Sequence, residues 1–240
     1  LSSHQFGADK VFSTALASAG TYYVQVSGSY LYDDGQYSLL GSLTAGTSSH
    51  EIEKNDTRTT ANDLSSGQRL EGQLWWTSDM DYYRVSIDGP SAISVDFDAP
   101  TNSSYYDYFT VSLLDASGSV LASKVTGKDV TFEAGVDTAG DYFLLVEDAE
   151  YLTTDPYTIS ISVDKSTDAI DEIETEENGT FITADTLDMG SAIKGQLGSS
   201  DDIDYFKFNI TQASTFGLVF DAPTNSPNNN YFTASILDSS

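Results

Sequence analysis

The 240-residue chain contains no cysteine, two histidines (His4 and His50), and only 10 Lys and Arg against 37 Asp and Glu, a formal net charge of −27. Each scarcity removes a class of chemistry. Without thiols there is no disulfide framework, thiolate metal site or cysteine nucleophile. With two histidines, imidazole chemistry is nearly excluded as well. So acidic a chain repels nucleic acid, whose binding depends on Lys and Arg displacing counterions, and it is disfavoured at an anionic membrane surface. No apolar run approaches the roughly 20 residues that cross a bilayer, so membrane insertion is not expected. Residues 1–5 have neither the basic start nor the apolar stretch of a signal peptide. What is present is 39% hydrophobic and 12% aromatic residues, more than a disordered acidic tail carries and enough for a folded core.

Comparing the chain with itself reveals its organisation. Glu51-Ile-Glu-Lys-Asn-Asp-Thr57 lines up with Glu174-Thr-Glu-Glu-Asn-Gly-Thr180, 123 residues on. The register holds without a gap to the C-terminus: Gly72-Gln-Leu74 falls on Gly195-Gln-Leu197, Asp79-Met-Asp-Tyr-Tyr83 on Asp202-Ile-Asp-Tyr-Phe206, and Phe97 to Ser103 on the identical Phe220 to Ser226. Upstream, Gly20-Thr-Tyr-Tyr-Val-Gln-Val26 matches Gly140-Asp-Tyr-Phe-Leu-Leu-Val146 and Tyr37 matches Tyr157, a spacing of 120. The expected division is the C-terminal half of one repeat at 1–46, a complete repeat at 47–165, and the N-terminal half of a third at 166–240. The two part-repeats are nearly complementary, since Leu1 corresponds to Leu121 and Ser240 to Ser117.

Within the complete repeat the hydrophobic pattern has a period of two. Tyr83, Val85 and Ile87 alternate with Tyr82, Arg84, Ser86 and Asp88, and further strand-like runs cover 92–97, 109–114, 142–146 and 157–163. Turn residues separate them, as in Asp115-Ala-Ser-Gly118 and Thr126-Gly-Lys-Asp129. No segment carries a sustained 3.6-residue stripe, and 59–64 predicts at most a helical turn. About eight short strands in some 110 residues predict an all-β fold, a tandem array of jelly-roll-like antiparallel β-sandwich repeats.

These residues resemble the bacterial pre-peptidase C-terminal domain, which is similar to the collagen-binding domains of clostridial collagenases. The resemblance rests on Glu-x-Glu-x-Asn-Asp-Thr at 51–57, Ala61 and Leu64, Gly72-x-Leu74, Asp79-x-Asp-Tyr-Tyr83, Leu114-Asp115, Gly140-x-Tyr-Phe143 and Tyr157-x-Ile-x-Ile161. It implies a calcium-stabilised sandwich appended to secreted bacterial proteins, often proteases, without catalytic activity. It also implies that 51–56 is a linker folded onto the sandwich by calcium, with Asp79 and Asp81 opposite.

The residue chemistry itself favours calcium. Glu51, Glu53, Asn55 and Asp56 crowd hard oxygen donors into six positions, and Asp79 and Asp81 add two at the start of a strand. Calcium takes six to eight such oxygens, and softer metals lack their Cys and His ligands here. In an extended segment Glu51, Glu53 and Asn55 project to one side. The set recurs as Glu174, Glu176, Asn178, Asp202 and Asp204, but Gly179 replaces Asp56, so the later site is one carboxylate poorer. Enzyme signatures are missing: there is no Gly-x-Ser-x-Gly, no His-Glu-x-x-His and no phosphate loop.

Loop aromatics are the remaining candidates for partner binding: Trp75 and Trp76, Tyr105 and Tyr106, and Tyr30 and Tyr32. The reading that follows is a non-catalytic, calcium-binding repeat of a secreted or cell-surface protein, structural or adhesive, meeting neighbouring repeats or copies of itself head to tail, as in a filament. The alternative is the substrate-targeting region of a secreted protease or other hydrolase, directed at extracellular matrix protein or polysaccharide.

Overall fold

A computed structural model describes residues 7, 9–16, 19–28, 36–43, 49–103, 106–166, 172–198, 201–223 and 231–237. Nine strands build the sandwich: β1 (Asn62–Asp63), β2 (Arg69–Gly72), β3 (Met80–Ile87), β4 (Ser91–Asp98), β5 (Phe109–Leu114), β6 (Val120–Thr126), β7 (Val130–Val136), β8 (Gly140–Asp148) and β9 (Tyr157–Asp164). One sheet runs β1-β3-β8-β5-β6 and the other β2-β9-β4-β7. The chain changes sheet at every step except β5–β6, which pair directly with a register shift at Leu113/Leu114. All pairings are antiparallel apart from the two-residue β1–β3 ladder.

The period-two pattern decides which face is buried. Along β3, Asp81, Tyr83, Val85 and Ile87 turn inward while Tyr82, Arg84 and Ser86 turn outward. Ile93, Val95 and Phe97 of β4 and Tyr157, Ile159 and Ile161 of β9 face them from the other sheet, all sealed from solvent. Phe97, Phe109 and Tyr157 form the centre, with ring centroids 5.0, 5.2 and 5.6 Å apart. Each fully buried aromatic of this kind contributes about 1.5–3 kcal/mol through removal of apolar surface from water. A smaller cluster, Leu114, Phe143 and Leu145 under Ala61, Met80 and Tyr82, covers the outer face of the first sheet.

The turns follow their residues. Gly118 adopts a φ of 98°, and Asp115 Oδ1 accepts from the backbone N–H of Gly118 (2.7 Å) and Ser119 (2.8 Å). The 57–60 segment is a single turn closed by Thr60 N–H on Thr57 O (3.0 Å). Beyond the sandwich, β10 (Asp185–Thr186) and β11 (Phe206–Lys207) pair in parallel. They reproduce the β1–β3 ladder 123 positions later, Asp185↔Phe206 standing for Asn62↔Tyr83. Among the described residues no helix is long and apolar enough to cross a membrane.

Candidate metal centre

The linker before the sandwich reaches both sheets. Glu51 N–H donates to Glu71 O (2.8 Å) and Glu71 N–H to Ser49 O (2.7 Å), which lays residues 49–51 alongside β2. Asn62 then fixes Ile52 by two hydrogen bonds (2.8 and 3.1 Å), and Tyr82 N–H donates to Asn55 O (3.1 Å), so the linker arrives at β3. A cis peptide bond joins Glu53 to Lys54. This path carries the linker carboxylates to one end of the sandwich, over the start of β3.

There they converge. Carboxylate oxygens of Glu51, Glu53 and Asp81 lie within 4.8 Å of one another, as do those of Glu53, Asp56 and Asp79, so Glu53 belongs to both triads. Asp79 and Asp81 are fully buried. One terminal atom of the Asn55 amide lies 3.0 Å from Glu53 Oε2 and 3.2 Å from Asp81 Oδ1. As a nitrogen it donates to both; as an oxygen it joins them in a cation's shell. Buried carboxylate oxygens Glu53 Oε1, Asp56 Oδ1 and Asp79 Oδ1 have no hydrogen-bond partner, although buried acceptors are almost always satisfied. Hard, converging, unsatisfied oxygens fit a calcium ion.

The other oxygens are held from behind. Glu51 Oε1 accepts from Gln73 N–H (2.6 Å) and Oε2 from the Tyr83 hydroxyl (2.8 Å). The Tyr157 hydroxyl donates to Asp81 Oδ2 (2.6 Å) and lies 2.8 Å from that of Tyr83. Trp75 N–H donates to Asp79 Oδ2 (2.6 Å). Two hydroxyls thus sit between the ligand set and the apolar core, where a buried tyrosine needs a partner. The alternation along β3 marks Tyr83 as inward and gives no sign of this role. Gly72 leaves room for both rings, because a Cβ there would press on each hydroxyl.

The electrostatics follow from this crowding. Burial, with repulsion from Glu53, pushes Glu51 up to about 8 from an ordinary 4.5 against the hydrogen bonds from Tyr83, Gln73 and Asn55. Burial, then Asp79 and Asp56, pushes Glu53 up to about 7. Asp81 is raised well above its usual range by burial and by Glu51, Glu53 and Asp79, and Asp79 is raised chiefly by burial. Burial, with Glu51 and Asp81, raises the Tyr83 and Tyr157 hydroxyls well above their ordinary value. A metal-free cluster must take up protons or repel itself.

The second cluster repeats this construction with differences. Glu174, Glu176 and Asp204 form a single triad, and Asp202 Oδ2 accepts from Gly198 N–H (2.6 Å) as Asp79 Oδ2 does from Trp75 N–H. Glu174 Oε1 accepts from Gln196 N–H, and a cis bond again follows the second glutamate, Glu176–Glu177. Phe206 stands where the first site has Tyr83, so Glu174 has no hydroxyl behind it at that position. Asp185 replaces Asn62 and accepts from Asn178 Nδ2 (3.1 Å), Thr175 N–H (3.0 Å) and Thr175 Oγ1 (2.8 Å). Asp185 thus adds a negative charge beside the cluster, where its repulsion helps raise Glu176 and Asp204. Glu176 Oε1, Asn178 Oδ1 and Asp204 Oδ1 are buried without partners. Burial is the first cause pushing Glu174 up to about 8 and Glu176 to about 7.

Of the aromatic candidates, Trp76 and Tyr106 are exposed and Trp75 is half-buried, its backbone N–H on Asp79 Oδ2. Tyr106 packs on Tyr151 and Tyr108, with ring centroids 4.9 and 5.8 Å away. Tyr30, Tyr32 and Tyr105 lie outside the described residues.

No family model matches the chain, and no curated protein does. Solved structures do. The chain is similar to the pre-peptidase C-terminal domain of a collagenase from Bacillus anthracis, at 18% identity over 42% of this chain and 94% of that one, with a TM-score of 0.36. It is also similar to a periplasmic inhibitor of g-type lysozyme from Salmonella Typhimurium (12% identity, 43% and 100% covered, TM-score 0.28). A third match is a carbohydrate-binding module of a Cellvibrio mixtus lichenase in complex with cellotriose (14%, 43% and 74%, TM-score 0.22). The first of these solved structures is a domain of the family that the residues of this chain resemble, the pre-peptidase C-terminal domain.

Proposed function

We propose that this chain is a non-catalytic, calcium-binding repeat of a secreted or cell-surface protein, with calcium acting as a structural ion at the repeat boundaries. The observation that carries the reading is the pair of overlapping carboxylate triads with buried, unpartnered oxygens at Glu53, Asp56 and Asp79. When bound, the ion supplies charge neutralisation and cross-linking. Glu51, Glu53, Asn55, Asp56, Asp79 and Asp81 hold it in the first site, and Glu174, Glu176, Asn178 and Asp204 in the second, with Asp202 beside it. Extracellular calcium modules bind at about 0.1–1 mM, and at 100 times the dissociation constant the ion stabilises the fold by about 2.7 kcal/mol. Thermal melts in calcium and in chelator test this; identical melting temperatures refute it.

The half-repeats expose surfaces that the rest of a repeat would cover, whether supplied by the continuing chain, a neighbouring repeat or a second copy. Residues 10–43 carry the counterparts of β7–β9 and residues 203–237 those of β3–β5. Residues whose counterparts are core lie exposed there: Leu39 for Ile159, Phe220 for Phe97 and Phe232 for Phe109. A neighbouring repeat or a second copy supplying the missing strands covers them, and head-to-tail repetition of that contact builds a filament. Sedimentation across a concentration series tests self-association, and a monomer at all concentrations argues against completion between copies. The Tyr106, Tyr108 and Tyr151 cluster favours a second reading, an accessory region that docks matrix protein or polysaccharide. Binding to immobilised collagen or polysaccharide, lost on Tyr106→Ala and Tyr151→Ala, would support it.

A further inference from the structure

The edge strand β7 is occupied. Thr175 pairs with Gly135 in a parallel bridge, so residues 172–176 run beside the end of β7. The approach is close: a Cβ on Gly135 would press into the Glu174 carbonyl oxygen and lie 3.1 Å from Thr175 Cγ2. Lys194 Nζ lies 3.1 Å from Glu133 Oε2 of β7, and Gln196 Nε2 donates to Ser123 O of β6 (2.7 Å). Ile173 is buried, and the cleft between the two parts is lined by Leu121, Phe132 and Ala134 on one side and by Ile173, Lys194 and Gln196 on the other.

The residues seated on the sandwich are also those that frame the second acidic cluster. Glu174 follows Ile173 and donates through its N–H to Lys194 O (2.9 Å), and its Oε1 accepts from Gln196 N–H. Asn178, fully buried, donates its Nδ2 to Glu174 Oε2 (3.2 Å) in the same cluster, while its buried Oδ1 has no hydrogen-bond partner. A displacement of 172–176 from β7 moves Glu174, and withdrawal of Lys194 and Gln196 removes what orients it.

We infer that the β6–β7 edge of the complete sandwich is the docking surface for the next repeat's metal segment, residues 172–198, so that seating this segment and loading the second site with a divalent cation are coupled. Coupling is reciprocal: a cation that favours the seated form tightens the joint, and a broken seat weakens the cation. The inference rests on the metal reading of the cluster. It is particular to this joint, because the counterparts of Glu133 and Lys194 one repeat earlier are Ser13 and Glu71, which form no ion pair, and the counterpart of Gly135 is Ala15.

The test uses the whole chain. Having no cysteine, it accepts spin labels at Glu150→Cys and Asp188→Cys alone, and both positions are exposed. The parent protein should give one narrow label distance in calcium and a broad one in chelator. Gly135→Val should be broad in both, and Lys194→Glu likewise, with the exchanged pair Glu133→Lys/Lys194→Glu restoring the narrow distance. In calcium titrations the seat-breaking variants should weaken the second site by about tenfold or more, the scale seen when the groups that orient a ligand are lost, while the first site titrates unchanged. Melting of the sandwich checks that it remains folded. If both variants keep the narrow distance and both binding steps, the coupling is refuted while the metal reading stands. If the parent protein takes up no calcium at either site, the metal reading falls and the coupling with it.

Discussion

Glu51 offers the sharpest test of the electrostatic argument, because its carboxylate is a liability without a cation and a ligand with one. In the metal-free protein its pKa lies at about 8 folded against 4.5 unfolded. A group raised by folding stabilises fully below its unfolded value, and that stability is lost as pH rises through the folded value. Between pH 5 and pH 8 the loss from Glu51 alone is therefore on the order of 3 kcal/mol, at 1.36 kcal/mol per pKa unit. For a sandwich of this size that is about 10 °C in melting temperature. Glu51→Gln keeps the shape and removes the charge, so the two proteins should cross. In chelator at pH 8 the variant should melt higher than the parent; in saturating calcium it should melt lower, having lost a ligand. The assay is calorimetric melting of both proteins from pH 5 to 8, with and without calcium. A variant less stable than the parent by the same amount under every condition would show that Glu51 acts through packing and hydrogen bonds alone, and would refute the reasoning.

Three further outcomes are expected. Gly72→Ala places a methyl group on the Tyr83 and Tyr157 hydroxyls and should destabilise the sandwich by about 1–3 kcal/mol, with calcium affinity falling as the rings shift; chemical denaturation and calcium titration measure both. Phe97→Ala empties the ring cluster between the sheets and should cost about 3–5 kcal/mol in urea unfolding, with little change in calcium affinity for the folded protein. Tyr83 and Tyr157, whose hydroxyls donate to Glu51 and Asp81, should sensitise terbium luminescence at the first site. Added calcium should quench that emission by displacing the terbium, and an emission that calcium leaves unchanged would place the lanthanide elsewhere.

The strands that the sequence announces are β3, β4 and β9, with alternation over a buried face, and β5 and β8, short apolar runs between turn residues. Their neighbours were harder to read. β7 interleaves Glu133 and Gly135 among its apolar residues and stands at a sheet edge, and β1 has two polar residues whose pairing with β3 comes from a contact some 20 positions away. The convergence of the carboxylates was legible because oxygen donors stand at close spacing in the sequence and the set recurs. The hydroxyls behind them were not, since an inward tyrosine in a strand reads as core, and which carboxylate it meets depends on how two sheets face one another. Asn62 and Asp185 line equivalent walls of the two sites without any local mark of it. The seat on β7 hangs on Gly135, a glycine whose purpose appears only when residues 172–176 lie beside it.

The linker that spans both sheets has a mechanical consequence. A cation bridging Glu51 and Glu53 to Asp81 closes a loop of about 30 residues, and a cross-link over that length restricts the unfolded chain by about 3–4 kcal/mol. In a polypeptide without cysteine this is the work of a disulfide done by carboxylates, and it is reversible by dilution rather than by reduction. Tension arriving along the chain at residue 49 would pass through the ion to β3 and leave β1, β2 and their turns slack behind it. The strength of such a joint would then be set by the free concentration of the cation.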